Sequence, residues 1–219
     1  MLLHRRRRDG RRVEIEALCG RHSIDCQEVA STELEKRAEG PHNGFVADVQ
    51  EADGPADGPT ASSDGPNEII VLVEDLQDPR NLGALLRVCD AAGVRRVLIR
   101  DRGSTALTPA VIKTSAGAAE WLAVERITNS VLEMERLKKL GYWIYGADGN
   151  GVAPWEMDLT GKVVLCVGGE SKGLRRRTRE CCDALVGLPM AGHVESLNLS
   201  TAAAAILFEI VRQQASGNG

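Results

Sequence analysis

Residues 73–94 read VEDLQDPRNLGALLRVCDAAGV, and the grammar of this stretch decides the fold. Just before it, Ile69-Ile70-Val71-Leu72-Val73 is a short apolar run of the kind that forms a buried strand. Asp78-Pro79 then supplies an N-cap and a proline at the first helical position, so a helix opens there. Leu82, Leu85, Leu86 and Cys89 recur at i, i+3, i+4 and i+7 and form its buried stripe. Gly93 stands where a left-handed residue ends the helix. Asn81 and Arg87 lie off the stripe. By themselves they are explained by local turn hydrogen bonds and by solvation, or by a site at the strand-to-helix junction.

The same strand-to-helix rhythm continues along the chain. Apolar runs near 69–73, 96–99, 122–126, 142–147, 163–167 and 185–188 predict strands, and helices are predicted near 79–92, 109–116, 130–140, 174–183 and 199–214. The strand runs lack polar alternation, which predicts an α/β fold: a parallel sheet covered by helices on both faces. Ligands of such sheets bind beyond the carboxyl ends of the strands.

Ahead of this region, residues 51–67 carry Asp-Gly-Pro three times, a linker composition with almost nothing to bury. It separates residues 1–50 from a larger domain, 68–219. In the small segment a helix is expected over 12–21, a strand over 26–29 and another over 45–49. A second helix is expected from Thr32, where Thr32 and Glu35 have capping-box spacing. The segment reads as part of an α/β domain whose opening elements are absent.

Composition removes several classes. The 219 residues are 43% hydrophobic, enough for a real core, but only 3% aromatic, which argues against recognition of bases by stacking on aromatic platforms. The net charge of −4 requires any nucleic-acid contact to come from local basic patches. The six cysteines form no CxxC pair and no zinc spacing, so no metal is expected; Cys89 and Cys166 read as small core residues. No signal peptide opens the chain, and the longest apolar run, 202–208, is too short to span a bilayer. A soluble, cytoplasmic protein is expected.

Neither the dinucleotide-binding glycine fingerprint nor the P-loop is present. GADGNG at 146–151 reads as a turn, because Val152-Ala153-Pro154 does not open a helix. Two other stretches stand at strand ends. In VVLCVGGESKGLRRRTRECCD, 163–183, a strand runs into Gly168-Gly169 and Glu170, then a helix from about Leu174. The glycines let backbone amides approach a ligand or simply make a tight turn. Lys172, Arg175, Arg176, Arg177 and Arg179 crowd the start of that helix against its dipole, which points to a phosphate partner or to a solvated basic face. In LPMAGHVESLNLSTAAAAILFEIVRQ, 188–213, Ser196, Asn198 and Ser200 crowd another helix N-terminus, more polar groups than one cap needs.

Together the three stretches resemble the SpoU (TrmH-like) family of RNA ribose 2′-O-methyltransferases. Its first motif, Asn-x-Gly-x-x-x-Arg with a later Gly, is met by Asn81, Gly83, Arg87 and Gly93. The second is met by Gly168, Gly169, Glu170 and Gly173, and the third by Ser196, Leu197 and Asn198. RRRTRECCDALVGLPMAG and LFEIVRQ extend the similarity to the bacterial 23S rRNA guanosine branch. Two positions depart from the pattern: Asn43 stands where the branch has Gln, and Glu195 stands where a small residue is usual.

The resemblance implies a trefoil-knotted methyltransferase domain, S-adenosylmethionine (SAM) as donor, and a homodimer with sites near the interface. It implies that residues 1–50 end a small RNA-binding domain. It implies catalytic roles for Arg87, Asn81 and Glu170, with Asn81 orienting Arg87 or the ribose and Glu170 holding Arg87. Gly168, Gly169, Leu188, Met190, Ser196, Leu197 and Asn198 would receive SAM, and Lys172, Arg175, Arg177 and Arg179 would meet RNA. Methylation of tRNA by the same unit is the alternative, and a non-catalytic RNA-binding or ribosome-assembly protein is the alternative of another class.

Overall fold

The computed structural model describes residues 1–5, 9–38, 42–48, 66–170 and 172–216. The chain divides into two units, Met1–Ala52 and Asp53–Gly219. The Asp-Gly-Pro linker, apart from Pro66 and Asn67, lies outside the described residues, as does Val49 of the strand expected over 45–49.

In the first unit, β1 (Leu2–His4) pairs in parallel with β2 (Gln27–Val29) and antiparallel with β3 (Phe45–Val46). The strand β1 was not expected, because Leu2-Leu3 is too short an apolar run to stand out before the arginines that follow. Between them α1 (Gly10–Arg21) opens on Asp9, whose side chain accepts from the Arg12 amide. The Arg12 guanidinium is buried and ion-paired with Glu16 on its own helix and Glu28 on β2, so one cation fastens helix to strand. The helix α2 (Ser31–Arg37) corrects the capping expectation. It begins one residue before Thr32, on Ala30 with no side-chain cap, and Ser31 Oγ donates to Glu35 at 3.0 Å instead. Only Ala30 lies between Val29, the last residue of β2, and Ser31, the first of α2, so the chain turns into the helix directly from β2.

The second unit is built on six strands: β4 (Glu68–Val73), β5 (Arg96–Arg100), β6 (Ala123–Ile127), β7 (Trp143–Val152), β8 (Lys162–Val167) and β9 (Ala184–Val186). They lie in the order β6-β5-β4-β8-β7-β9, and every neighbouring pair is parallel. Strand alternation sorts β4 between two cores. Ile69, Val71 and Val73 join Leu82, Leu85, Leu86, Ile206 and Ile210 on one face; Ile70 and Leu72 join Leu98, Met134, Leu137 and Val164 on the other. Helices α3 (Pro79–Ala91), α4 (Pro109–Thr114) and α7 (Leu199–Ser216) supply side chains to the first face, while α5 (Ser130–Lys139) and the short α6 (Arg176–Cys181) flank the second. Each fully buried aliphatic side chain of β4 contributes roughly 1.5–3 kcal/mol relative to exposure. The α/β architecture with both faces covered is therefore the one the apolar runs predicted.

The details of α3 also follow its sequence. Asp78 accepts from the Arg80 amide at 2.8 Å, Pro79 is the first helical residue, and Gly93 has φ +70°. Gly83 has a packing role: a Cβ there would lie 2.6 Å from Thr114 Cβ and 2.7 Å from the Val111 carbonyl, so only glycine lets α4 approach. Cys89 and Cys166 are fully buried, and burial pushes the Cys89 thiol well above its ordinary range. Asn67, counted above with the linker, is tied into this unit, accepting from the Gly161 amide at 3.1 Å. No described helix is long and apolar enough to cross a membrane.

One expectation fails in an instructive way. GADGNG lies inside β7 and is not a simple turn. Ala147 and Val152 both register with Val186, so the intervening residues bulge out of the ladder and return. Two of its three glycines answer packing: a Cβ at Gly146 would meet Leu174 at 2.7 Å, and one at Gly151 would meet the Val186 backbone at 2.4 Å.

Candidate active site

Strand β4 runs on through α3 towards β5, whereas β8 runs on through α6 towards the opposite edge of the sheet. The two strands are neighbours, so their carboxyl ends form the crevice at which the chain changes direction. A cavity of about 480 Å³ opens there. Asn81 from α3, Gly168, Gly169 and Glu170 from the loop after β8, and Leu188, Met190, Ser196, Leu197 and Asn198 from the segment before α7 all line it. Three stretches far apart in sequence thus meet at one place.

A chain of hydrogen bonds joins them. Asn198 Oδ1 accepts from the Ser200 amide at 3.0 Å and from Ser200 Oγ at 2.7 Å, which caps α7. That leaves its Nδ2 to donate to Asn81 Oδ1 at 3.0 Å. With its oxygen occupied, Asn81 presents Nδ2 to Glu170 Oε1, and the two are hydrogen-bonded. An ionised carboxylate only accepts, so each amide has a single orientation consistent with its neighbour.

Within this chain Asn81 donates to Glu170 and accepts from Asn198, and neither Asn81 nor Glu170 bonds to Arg87 among the described residues. Arg87 sits exposed on α3, outside the lining of the cavity, with no hydrogen bond or ion pair among the described residues. Its charge is uncompensated among the described residues.

The loop after β8 is packed too closely for side chains. A Cβ at Gly168 would lie 2.1 Å from the Gly173 carbonyl carbon, and one at Gly169 would lie 2.6 Å from the Asp75 carbonyl oxygen. The Gly173 amide closes the loop by donating to the Gly169 carbonyl at 2.8 Å. Both glycines are buried against the protein in this way and also line the cavity.

The basic run is less uniform than its sequence implied. The helix α6 has six residues, so most of the cations precede it or sit along it. Arg175 makes a two-pronged pair with Asp75, at 2.6 and 2.8 Å, and Arg100 reaches the same carboxylate at 3.4 Å. The Arg175 guanidinium holds the Asp75 carboxyl below the usual carboxylate range, against a smaller opposing effect of burial. Arg179 falls in the last turn of α6, where the dipole favours a cation, and pairs with Asp148 at 3.2 Å. Lys172 and Arg177 are exposed and unpaired among the described residues, so they are the cations free to meet an anion.

Sequence reasoning missed Asp75 and the β7 bulge. Asp75 adopts φ +52° where it meets Gly103 and Gly169, a left-handed conformation that Asp tolerates better than most residues. Ala147, Asp148 and Gly149 of the bulge line the cavity. The available signal was a polar, glycine-rich stretch at the carboxyl end of a strand. Among the described residues no cluster of His, Cys, Asp and Glu could hold a metal ion.

Comparisons with known proteins agree with this geometry. Residues 68–208 match the model of the SpoU rRNA Methylase family. The chain is 40% identical over 215 residues to the 23S rRNA (guanosine-2′-O-)-methyltransferase RlmB of Pseudomonas syringae pv. tomato, covering 96% of this chain and 86% of that protein. The crystal structure of the SpoU methyltransferase AviRb from Streptomyces viridochromogenes, in complex with the cofactor AdoMet, superposes with a TM-score of 0.76 at 26% identity, covering 98% of this chain and 82% of that one. The A. aeolicus TrmH/SpoU tRNA modifying enzyme gives 0.63 at 29% identity over 69% of this chain and 78% of its own.

Proposed function

The chain belongs to the SpoU rRNA Methylase family, and we propose that it transfers a methyl group from SAM to the ribose 2′-hydroxyl of a guanosine in 23S ribosomal RNA. The observation that carries this reading is the hydrogen-bonded chain Ser200–Asn198–Asn81–Glu170, which draws all three family motifs to one cavity at the strand ends. The relative covering most of this chain acts on rRNA, which favours rRNA over tRNA.

The cavity suits the donor. Apolar side chains of Val167, Leu188, Met190, Leu199 and Ile206 share its lining with the amides of Asn81 and Asn198 and the hydroxyl of Ser196, and no lysine or arginine lines it among the described residues. Gly168 and Gly169 line it without side chains, which fits an adenosine-bearing ligand held by main-chain groups. When bound, SAM supplies a methyl carbon made electrophilic by a positive sulfur.

The rest is positioning. Gly168, Gly169, Leu188, Met190, Ser196, Leu197 and Asn198 would hold the donor. Asn81 fixes Glu170 beside it, so the acceptor hydroxyl meets a rigid wall rather than mobile side chains. Arg87 carries a guanidinium, which is a poor base. Its role is that of a fixed cation that grips the phosphate next to the target ribose and stabilises the alkoxide as the proton leaves. Lys172 and Arg177 would track neighbouring phosphates, and Arg175 and Arg179 would add to that surface from their paired positions.

The reading includes a homodimer. The helix α7 buries Ala203, Ile206, Leu207 and Ile210 against its own sheet, yet Ala205 and Phe208 on another face are exposed. A second copy of α7 would cover them in a two-fold contact. Residues 1–50 would add RNA affinity as a partial substrate-binding domain, and the second unit would carry the family's trefoil knot. Methyl transfer to 23S rRNA from SAM, followed by mapping of the modified ribose, tests the whole reading. A SAM-binding titration separates it from a non-catalytic RNA-binding protein.

A further inference from the structure

We propose that Glu195 makes the cofactor cavity selective for a cationic ligand, so that it holds SAM in preference to its neutral-sulfur product, S-adenosylhomocysteine. The proposal rests on the SAM reading of the cavity. Glu195 lines the cavity with Asp148 and Glu170, and no cation lines it among the described residues. The three carboxylates are not equivalent. Asp148 is ion-paired to Arg179 at 3.2 Å and accepts from the Asn150 amide at 3.0 Å. Glu170 accepts from Asn81. Glu195 has neither hydrogen bond nor ion pair among the described residues. Among the described residues it is the lining carboxylate with no partner of either kind, whereas Glu170, though it has no ion pair, is held in place by Asn81.

Transfer of the methyl group removes one positive charge from the ligand: the C–S bond breaks, its electron pair returns to sulfur, and the ribose oxygen forms the new C–O bond as its proton passes to solvent water. The ammonium and carboxylate of the amino-acid tail are common to donor and product, so the charge on sulfur is what distinguishes them. A carboxylate on the rim of a partly solvated cavity attracts that charge at several ångströms and is indifferent to its absence. The product would thus lose attraction at the moment it forms. An alternative duty for Glu195 is to offset the positive N-terminus of α7, four residues ahead. That duty would not discriminate between the two ligands.

The test is calorimetric titration of the intact protein and of Glu195→Gln with three ligands: SAM, S-adenosylhomocysteine and sinefungin, which carries an ammonium near the sulfonium position. The expected result is that SAM and sinefungin each weaken by about three- to ten-fold in the variant while S-adenosylhomocysteine stays within about two-fold. The wild-type preference for SAM should also shrink as salt is raised, and the variant's should shrink less. Equal weakening of all three ligands, or no weakening of any, overturns the proposal. Failure of all three to bind the wild-type protein overturns instead the SAM reading on which it rests. Glu195 is exposed, and an unchanged melting temperature confirms that the variant is folded.

Discussion

Asn198 Nδ2 donates to Asn81 Oδ1 at 3.0 Å across 117 residues of sequence, and this bond joins the cap of the last helix to the first turn of α3. Because Asn81 donates onward to Glu170, the orientation of the carboxylate depends on a cap two residues removed from it. Replacement of Asn81 by Asp keeps the shape but removes the donor and sets two carboxylates face to face. Asn81→Asp is expected to lower methyl transfer at least tenfold while unfolding within a few degrees of wild type. Steady-state rates beside a thermal melt check this; near-normal turnover contradicts the relay.

Arg87 lacks any partner among the described residues, so its removal leaves no buried group unsatisfied. Arg87→Ala should cost methyl transfer by a factor of about 100 or more with SAM affinity changed by no more than a few-fold. Arg87→Lys should recover little of it, because a point charge does not reproduce the planar two-pronged grip. Single-turnover rates and SAM titrations on the same preparations separate the two effects. A fast Ala variant assigns Arg87 to plain solvation.

The two unpaired cations of the loop and of α6 make the cleaner test of RNA contact. Lys172→Glu with Arg177→Glu should weaken RNA binding and flatten the dependence of log K on log salt by about one to two units, leaving SAM binding intact. Arg175→Glu is a worse probe, since it also sets a charge against Asp75. Binding curves at several salt concentrations that superpose on wild type would return these cations to a solvated face.

Phe208 is half exposed on α7, beside the small side chain of Ala205. Light scattering of the wild-type protein at micromolar concentration should give a dimer, and Phe208→Glu should give monomers with reduced activity. A wild-type monomer with full activity removes the dimer from the account.

Much of this was legible in the sequence, for reasons that differ by element. The run from Ile69 to Gly93 carried a buried strand, an N-cap, a proline start and an i, i+3, i+4, i+7 stripe, and each appears where it was read. Local signals of that kind are set within a few residues. The partner of Asn81 was not legible, because Glu170 and Asn198 are distant in sequence and only the parallel order of β4 and β8 brings them together. The same limit hid Asp75, whose pairing with Arg175 spans 100 residues. The bulge in β7 was misread because Gly146 makes room for side chains packed on it and Gly151 for the backbone of β9, tertiary demands that resemble turn chemistry in one dimension.

The most direct measurement supplies the purified protein with methyl-labelled SAM and two acceptors, 23S rRNA lacking ribose methylation and bulk tRNA, then locates the label by nuclease digestion and mass spectrometry. The account predicts one 2′-O-methylguanosine in the 23S rRNA, and no incorporation with Arg87→Ala. Label confined to tRNA, label on a base rather than a ribose, or no transfer by a preparation that binds both SAM and rRNA would contradict it.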